Sequence, residues 1–385
     1  MLCLSRLPQH PSDGNAVELY VDGDACFETL WADIDAATHT VWVETYILET
    51  DAVGCATLAR LSAAARRGCD VRLIYDHVGS LGLDSRQLVP LQAAGGRIHP
   101  FNPVWPWRAS GPWLFRDHRK LVLIDGRIGW VGGRNIGQRY AGPHLGGTPV
   151  FRDTQARLRG PASGDLARAF RETLSELRVP LPALPPPAAR AGDCRVEVLS
   201  ANGWRRRRQL QSRVRQAVSA ARRRLLLTTP YPLLSRRLLR ALRRAARLGV
   251  DVQVLIPARS DVRLVDLARA RLVRKLARSG VRLHLYGAPM HTKTLVADDD
   301  FALVGSFNLD AATGSHNLEI GIAIHAAAVA EQLAQHFATD LEHSVAVAFP
   351  LPHSGPWQRL LEWAASRLLR LVLAWPGRWS RGRHP

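Results

Sequence analysis

Apolar residues recur along this chain in two alternating rhythms. Short runs of Val, Ile and Leu fit strands that are buried on both faces. Between them lie longer stretches with apolar residues three and four apart, as on one face of a helix. Residues 17–21 read as a strand, and a helical stretch leads from them to a strand over 40–47. A helix over 56–67 then runs into a strand over 68–75. The same succession returns later, with strands at 196–199, 225–229 and 249–256. Helical stretches running to Arg222 and over 238–248 separate them. The third strands match as Gly-Cys-Asp-Val-Arg-Leu-Ile against Gly-Val-Asp-Val-Gln-Val-Leu-Ile. Strands alternating with helices predict an α/β layered fold. A repeat this long is no solenoid; it predicts two copies of one unit joined at one interface as a pseudo-dimer.

Composition shifts mark the boundaries. Residues 1–16 read as an N-terminal tail and 17–178 as the first unit. The run Val179-Pro-Leu-Pro-Ala-Leu-Pro-Pro-Pro187 marks a linker over 179–194. The second unit spans 195–345, and a basic amphipathic C-terminal segment fills 346–385. Apolar residues make up 46% and charged residues 22% of the 385, which excludes whole-chain disorder. Five cysteines, odd in number and without a C-x-x-C pair, exclude a disulfide scaffold or a Cys-based zinc site and favour a reducing compartment. The first residues lack a sustained apolar stretch, so no signal peptide is expected. No run of 18 apolar residues predicts a membrane span.

Charge narrows the partners. Lys plus Arg number 52 and Asp plus Glu 33, a formal net charge of +19. Such an excess points to a nucleic acid, a phosphate-rich substrate or an anionic lipid surface. Only Lys120, Lys275 and Lys293 are lysines. In a chain that otherwise uses Arg, a retained Lys marks a place that needs a compact ammonium rather than a planar fork.

Two of those lysines occupy equivalent slots of a repeated motif. The first copy reads His118-Arg-Lys120, then Asp125, then Gly132-Gly133-Arg-Asn135. The second reads His291-Thr-Lys293, then Asp298, then Gly305-Ser306-Phe-Asn308. Both are H-x-K-x4-D-x6-G-[GS]-x-N. Residue frequencies put chance copies on the order of 10⁻⁵ per chain, and here there are two, in register with an independent repeat. His and Lys two apart, leading into an apolar run, point to one face of a strand. A following turn and a second strand (128–131, 301–304) return Gly133 or Ser306 and the Asn to the same spot. Imidazole, ammonium and carboxamide together suit a phosphodiester, with one group to attack or protonate and others to hold the non-bridging oxygens. Gly or Ser before the Asn allows close backbone approach to phosphate. Asp298-Asp-Asp300 reads as a hairpin turn, not a metal cluster.

The paired motif resembles the signature of the phospholipase D superfamily, over about residues 17–345. Val43-Glu44-Thr-Tyr46, Gly132-Gly-Arg-Asn-Ile-Gly137, Ile256-Pro-Ala-Arg-Ser-Asp261, Gly305-Ser-Phe-Asn-Leu-Asp310 and Asn317-Leu-Glu319 are similar to the bacterial cardiolipin synthase branch. The resemblance implies two phospholipase D-like α/β/α sandwich domains with both motifs at one active site. It implies a covalent phosphohistidine, with His118 as nucleophile and His291 as acid and base. Lys120, Lys293, Asn135 and Asn308 would bind phosphoryl oxygens, and Asp125 and Asp298 would be mainly structural or orienting. Asp153 and Glu319, one downstream of each motif, would each hold a His ring in its working tautomer. No metal or other cofactor is implied, because the lysines neutralise the phosphate. Phe151 stands where the family usually has Trp. Glu44 has no counterpart in Leu-Thr-Thr-Pro-Tyr231, so the halves are not equivalent.

The motif alone does not separate lipid from nucleic acid. Trp105, Trp107, Trp113 and Phe115 precede His118 and suit an acyl groove or membrane-dipping rim, domain packing, or base stacking. Residues 357–375 read as an apolar helix with a narrow Arg stripe and Trp near both ends, suited to an anionic interface or to packing on the core. Arg205–Arg208, Arg222–Arg224 and Arg236-Arg237 would meet phosphate of either kind or form a solvated face. The balance favours a phosphatidyl transferase of cardiolipin synthase type. Its expected partners are phospholipid substrates and an anionic phospholipid membrane surface, at the cytoplasmic face of a bacterial inner membrane. The alternative is a phosphodiesterase hydrolysing phospholipid or nucleic acid.

Overall fold

The computed structural model describes residues 10–103, 115–148, 150–231, 234–259, 267, 273–308, 317–348 and 355–374. The first copy runs β1 (Ser12–Tyr20), α1 (Gly23–Asp35), β2 (Thr40–Thr45), α2 (Ala52–Arg66), β3 (Asp70–Asp76), α3 (Val89–Ala93), β4 (Arg97–Phe101), β5 (Leu121–Ile124), β6 (Ile128–Gly132), β7 (Gln155–Arg159) and α4 (Ser163–Glu176). The second runs β8 (Cys194–Ala201), α5 (Gly203–Ala220), β9 (Arg224–Thr228), α6 (Arg236–Arg247), β10 (Asp251–Pro257), β11 (Arg282–Tyr286), β12 (Thr294–Ala297), β13 (Phe301–Gly305), β14 (Glu319–His325) and α7 (Ala327–Glu342). A short β15 (Ser344–Ala346) and the C-terminal helix α8 (Pro356–Ala374) follow. Side chains set the helix starts. Asp22, Asp51 and Ser235 accept from the backbone N–H of Ala25, Gly54 and Leu238, covering donors that the first turn leaves unpaired.

The fifteen strands of the described residues join in one sheet. Outward from the centre the two copies repeat the same order: β1-β7-β6-β5-β2-β3-β4 on one side, β8-β14-β13-β12-β9-β10-β11 on the other, with β15 at the edge. The centre is the antiparallel pair β1 and β8, where Ser12 faces Val196 and Asn15 faces Cys194. The strand begins at Ser12, inside the stretch read from sequence as a tail. Those early residues serve the other copy, so no hydrophobic rhythm of their own copy announces them. The Pro-rich linker has no helix or strand until its last residue, Cys194, opens β8, and it lies along the first copy. Arg72 donates to the Pro180 carbonyl at 3.2 Å, and Ala191 N–H donates to Gly14 O at 2.8 Å.

Three cores hold the layers. Each copy has its own on the face carrying its first helices: Phe27, Trp31, Leu61, Leu73 and Trp130 in the first, Leu210, Val214, Leu242, Val254 and Ile256 in the second. The third core belongs to both. It gathers Trp42, Leu166 and Phe170 from the first copy with Ile320, Ile322, Leu333 and Phe337 from the second, under α4 and α7. Trp42 stacks on Phe170 with centroids 5.2 Å apart. A buried side chain of this size contributes roughly 1.5–3 kcal/mol. The halves are therefore joined by a hydrophobic core as well as by a strand pair.

Asn15 sits at the seam. Its Nδ2 donates to Ser12 O at 2.7 Å, and its Oδ1 accepts from Ala162 N–H at 2.9 Å. Replacing it strands a buried N–H. Asn15→Ala is expected to cost about 1–3 kcal/mol, read as a lower urea midpoint; an unchanged midpoint would remove the seam from the account of stability.

Candidate active site

Each motif places its His and Lys just before a strand. β5 begins at Leu121 and β12 at Thr294, one residue after the lysines. The sequence pattern put these side chains on the strand itself; instead their backbone leaves the ladder to pair with the other copy. His118 N–H donates to Leu318 O at 3.0 Å, and Leu318 N–H returns a bond to Arg116 O at 3.0 Å. The mirror pairing joins His291 N–H to Arg152 O at 2.8 Å and Arg152 N–H to Pro289 O at 2.9 Å. Two short parallel bridges, Asp117 with Leu318 and Arg152 with Met290, therefore stitch the motifs together.

The stitching crosses the acids. His118 Nδ1 lies 3.1 Å from Glu319 Oε2, and His291 Nδ1 lies 2.9 Å from Asp153 Oδ2. Every imidazole takes its carboxylate from the opposite copy. The two rings stand 6.4 Å apart between centroids, with planes at 66°. Nδ1 being engaged, Nε2 of each ring is the nitrogen left for substrate.

Around the rings are buried cations and aromatic walls. Lys120 Nζ donates to His118 O at 2.8 Å, and Lys293 Nζ donates to His291 O. Both lysines are buried. The Tyr46 ring is 4.9 Å from that of His118 and lies under Lys120 Nζ at 5.2 Å. Tyr140 and Phe151 flank His291 at 5.8 and 6.3 Å. Asn135 and Asn308 are buried beside the site. Asn135 Oδ1 accepts from Ile47 N–H at 3.1 Å. Its Nδ2, like Asn308 Oδ1, has no hydrogen-bond partner among the described residues.

Gly133 and Ser306 do their visible work on the acids. A Cβ at Gly133 would lie 2.3 Å from Asp153 Oδ1, and the Gly133 carbonyl is 3.0 Å from His291 Nδ1. Ser306 Oγ donates to Glu319 Oε2 at 2.5 Å. Asp125 and Asp298 are not brought to the rings. They sit in the turns at the far ends of β5 and β12, with φ of +50° and +53°. Asp125 accepts from the N–H groups of Thr38, His39 and Thr40, and Asp298 from those of Arg222, Arg223 and Arg224. They pin the starts of β2 and β9. Burial works to raise these carboxyls, but the converging N–H donors hold them below the ordinary range.

Burial governs the titration of the reacting groups. It lowers His118, helped by Lys120 and opposed by Glu319. It takes His291 down to about 4, helped by Lys293 and opposed by Asp153. Burial likewise lowers Lys120 to about 8, against the pull of Glu319 and Asp153. The acids respond oppositely: burial would raise them, yet their histidines and the lysines leave Asp153 and Glu319 below the usual carboxylate range.

Several supporting residues carry no sequence signal. Arg119, the middle residue of the first motif, is fully buried. It donates to Ser200 Oγ at 2.7 Å, Ala169 O at 2.6 Å, Thr173 Oγ1 at 2.9 Å and Glu319 O at 3.3 Å. Glu44 lies 3.8 Å from it. Burial, and then the like charge of Glu44, raise the Asp117 carboxyl well above its ordinary value. In the second copy Thr292 replaces Arg119, and Arg152 does the anchoring through Asp340 at 2.7 and 2.8 Å. Of the aromatics before His118, Trp105, Trp107 and Trp113 lie outside the described residues. Phe115 packs edge-on against Phe101 at 5.2 Å and belongs to the shared core.

Two imidazoles held across one gap by two copies of a fold define the phospholipase D class of phosphodiester enzymes. The chain belongs to the family described as cardiolipin synthase, PLD-like domain, whose model matches residues 30–144 and 214–341, one block per copy. A cardiolipin synthase A of Pseudomonas putida (strain W619) is 32% identical over 362 residues, 93% of this chain and 74% of that one. A cardiolipin synthase of Geobacillus kaustophilus (strain HTA426) is 29% identical over 377 residues, 96% of this chain and 74% of that one. Among solved structures, the phosphatidylserine synthase of Haemophilus influenzae Rd KW20 shares the fold, with a TM-score of 0.68 over 93% of this chain and 94% of that one at 14% identity. The protein is a cardiolipin synthase-like enzyme of this superfamily.

Glu319 raises the pKa of His118, so Glu319→Gln is expected to shift the His118 titration to lower pH in ¹⁵N NMR, and to lower turnover about 10²–10⁴-fold. Lys120 burdens the folded state. Its penalty is complete below pH 8, fades as pH rises and is gone above the unfolded value of 10.5. Lys120→Met is expected to abolish activity and yet stabilise the fold at pH 7 by up to roughly 3 kcal/mol. The gain should shrink toward pH 10 in urea titrations.

Proposed function

We propose that the enzyme moves a phosphatidyl group from one phospholipid onto a hydroxyl of phosphatidylglycerol, making cardiolipin through a phosphohistidine. One observation carries this reading: two imidazoles 6.4 Å apart, each held at Nδ1 by an acid of the other copy. The family resemblance assigns His118 as nucleophile. Its Nε2 attacks phosphorus, the bond to the leaving alcohol breaks, and His291 gives that alcohol a proton. The incoming hydroxyl then loses its proton to His291 and attacks phosphorus, and the P–N bond breaks to restore His118. Lys120, Lys293, Asn135 and Asn308 would hold the non-bridging oxygens, while Gly133 and Ser306 set the acids.

A His291 pKa of about 4 suits a base better than an acid. Bound phosphate resolves this, because its negative charge offsets the two ammonium groups and draws the His291 pKa upward. The rings are mostly buried, with 13% and 12% of their side chains exposed. A dry gap favours a lipid alcohol over water as acceptor. No helix among the described residues is long and apolar enough to cross a membrane. The positive charge supports action at an anionic membrane surface, which the proposed lipid substrates would put at the cytoplasmic face of the inner membrane. The names of the relatives support the same reaction.

Full-length enzyme with phosphatidylglycerol in mixed micelles is expected to yield cardiolipin and glycerol without added divalent metal. His118→Ala should abolish both products. Phosphatidic acid as the sole product would make the enzyme a phospholipase, and cleavage of plasmid DNA without lipid turnover would make it a nuclease.

A further inference from the structure

The described side chains of the C-terminal helix are mounted inside out. Its buried positions include Glu362, 1% exposed, and Ala365. Glu362 faces the body of the second copy, where Arg274 donates to its Oε1 at 3.2 Å. The opposite face carries Trp357, Leu360, Leu361, Ala364 and Leu368, spaced three and four apart and all exposed. Trp357 is 78% exposed and Leu361 60%. The narrow-stripe reading from sequence did not foresee a carboxylate turned inward and a Trp/Leu face turned out. An ordinary surface helix does the reverse. A contiguous apolar stripe in water is a binding surface or a liability.

What surrounds the stripe identifies its occupant. Arg359 and Arg367 are exposed on the same helix, and Arg367 lies over the Trp363 ring at 5.4 Å. The segment that receives Glu362 also anchors α6, through Arg243 Nε to Ser279 Oγ at 2.7 Å. Helix α6 reads RRLLRALRRAAR, with no acid, and exposes Arg236, Arg237, Arg240, Arg244 and Arg247. The segment 274–279 therefore connects the helix bearing this Trp and Leu stripe to an arginine-lined helix of the second copy. Apolar side chains flanked by fixed positive charge match an anionic bilayer, which offers acyl chains beneath a layer of phosphates. A protein partner would need an acidic rim around an apolar groove, whereas a second copy of this chain would bring like charge against like.

We propose that α8 and α6 form the docking surface for an anionic phospholipid bilayer, with Trp357, Leu360, Leu361 and Leu368 entering the acyl boundary and the α6 arginines meeting lipid phosphates. This deepens the proposed reading, since it names the surface through which a lipid-handling enzyme would meet its substrate. The arginine–glutamate pair between Arg274 and Glu362 fixes which face of the helix points outward.

Flotation with phosphatidylglycerol vesicles and with phosphatidylcholine vesicles tests the proposal on the full chain. Wild type is expected to float with the anionic vesicles and much less with the neutral ones, more weakly as salt rises. The variant L360Q/L361Q/L368Q is expected to lose at least about tenfold in vesicle affinity, because each buried apolar side chain adds to interfacial binding. Replacing Arg236, Arg240 and Arg244 with Gln should reduce binding to anionic vesicles alone. Vesicle binding by the Leu variant equal to wild type would overturn the proposal. So would a wild-type dimer, seen by sedimentation, that the Leu variant abolishes while vesicle binding is absent. The transferase reading fails separately: wild type would then bind vesicles yet make no cardiolipin in micelles.

Discussion

The crossed pairing of imidazole and carboxylate is the constraint from which the rest of the architecture follows. Neither copy owns a complete catalytic half. His118 needs Glu319, and His291 needs Asp153. The two backbones must therefore stay registered to within a hydrogen bond at two places. A flexible tether could not do that. The continuous sheet, the core common to both copies, and the bridges at Asp117 and Arg152 together impose it. The duplication thus acts as one rigid unit, and the gap between the rings is a property of that unit.

The same enclosure puts the site under strain. Two lysines, Arg119 and several carboxyls are all removed from water, and removal from water disfavours their charged forms. The structure offsets this with networks rather than isolated pairs. Arg119 donates to three elements at once, α4, β8 and β14, burial beside Glu44 raises Asp117, and Asp76 is held by Arg116 and backbone donors. Lys120 and His291 stay strained, with pKa values of about 8 and 4. Both belong to the repeated motif. In the proposed transfer, the negative charge of a phosphodiester would offset what burial makes unfavourable for these two groups.

What the sequence announces is whatever is local. Strand and helix rhythm, the repeated motif and the hairpins around Asp125 and Asp298 arise from neighbours a few residues apart. The buried lysines stand out because the chain otherwise uses Arg. The crossing does not stand out, since it joins residues 201 and 138 positions apart and nothing in the spacing says which acid meets which ring. Arg119 and Arg152 are hidden for a different reason. In a chain with so many arginines, one that is buried looks like one that is solvated. The start of β1 is hidden because Ser12 and Asn15 answer to Val196 and Cys194 of the other copy.

The copies agree in the His, Lys and Asn of the motif and differ in what stands behind them. Gly133 leaves room for Asp153, while Ser306 grips Glu319 with a hydrogen bond. Arg119 fixes the first motif from a buried network, whereas the second has Thr292 and relies on Arg152 clamped to Asp340. The two histidines consequently stand in unequal environments, with burial and the neighbouring lysines lowering His291 to about 4. Divergence behind the motifs supplies the difference without moving the reacting atoms.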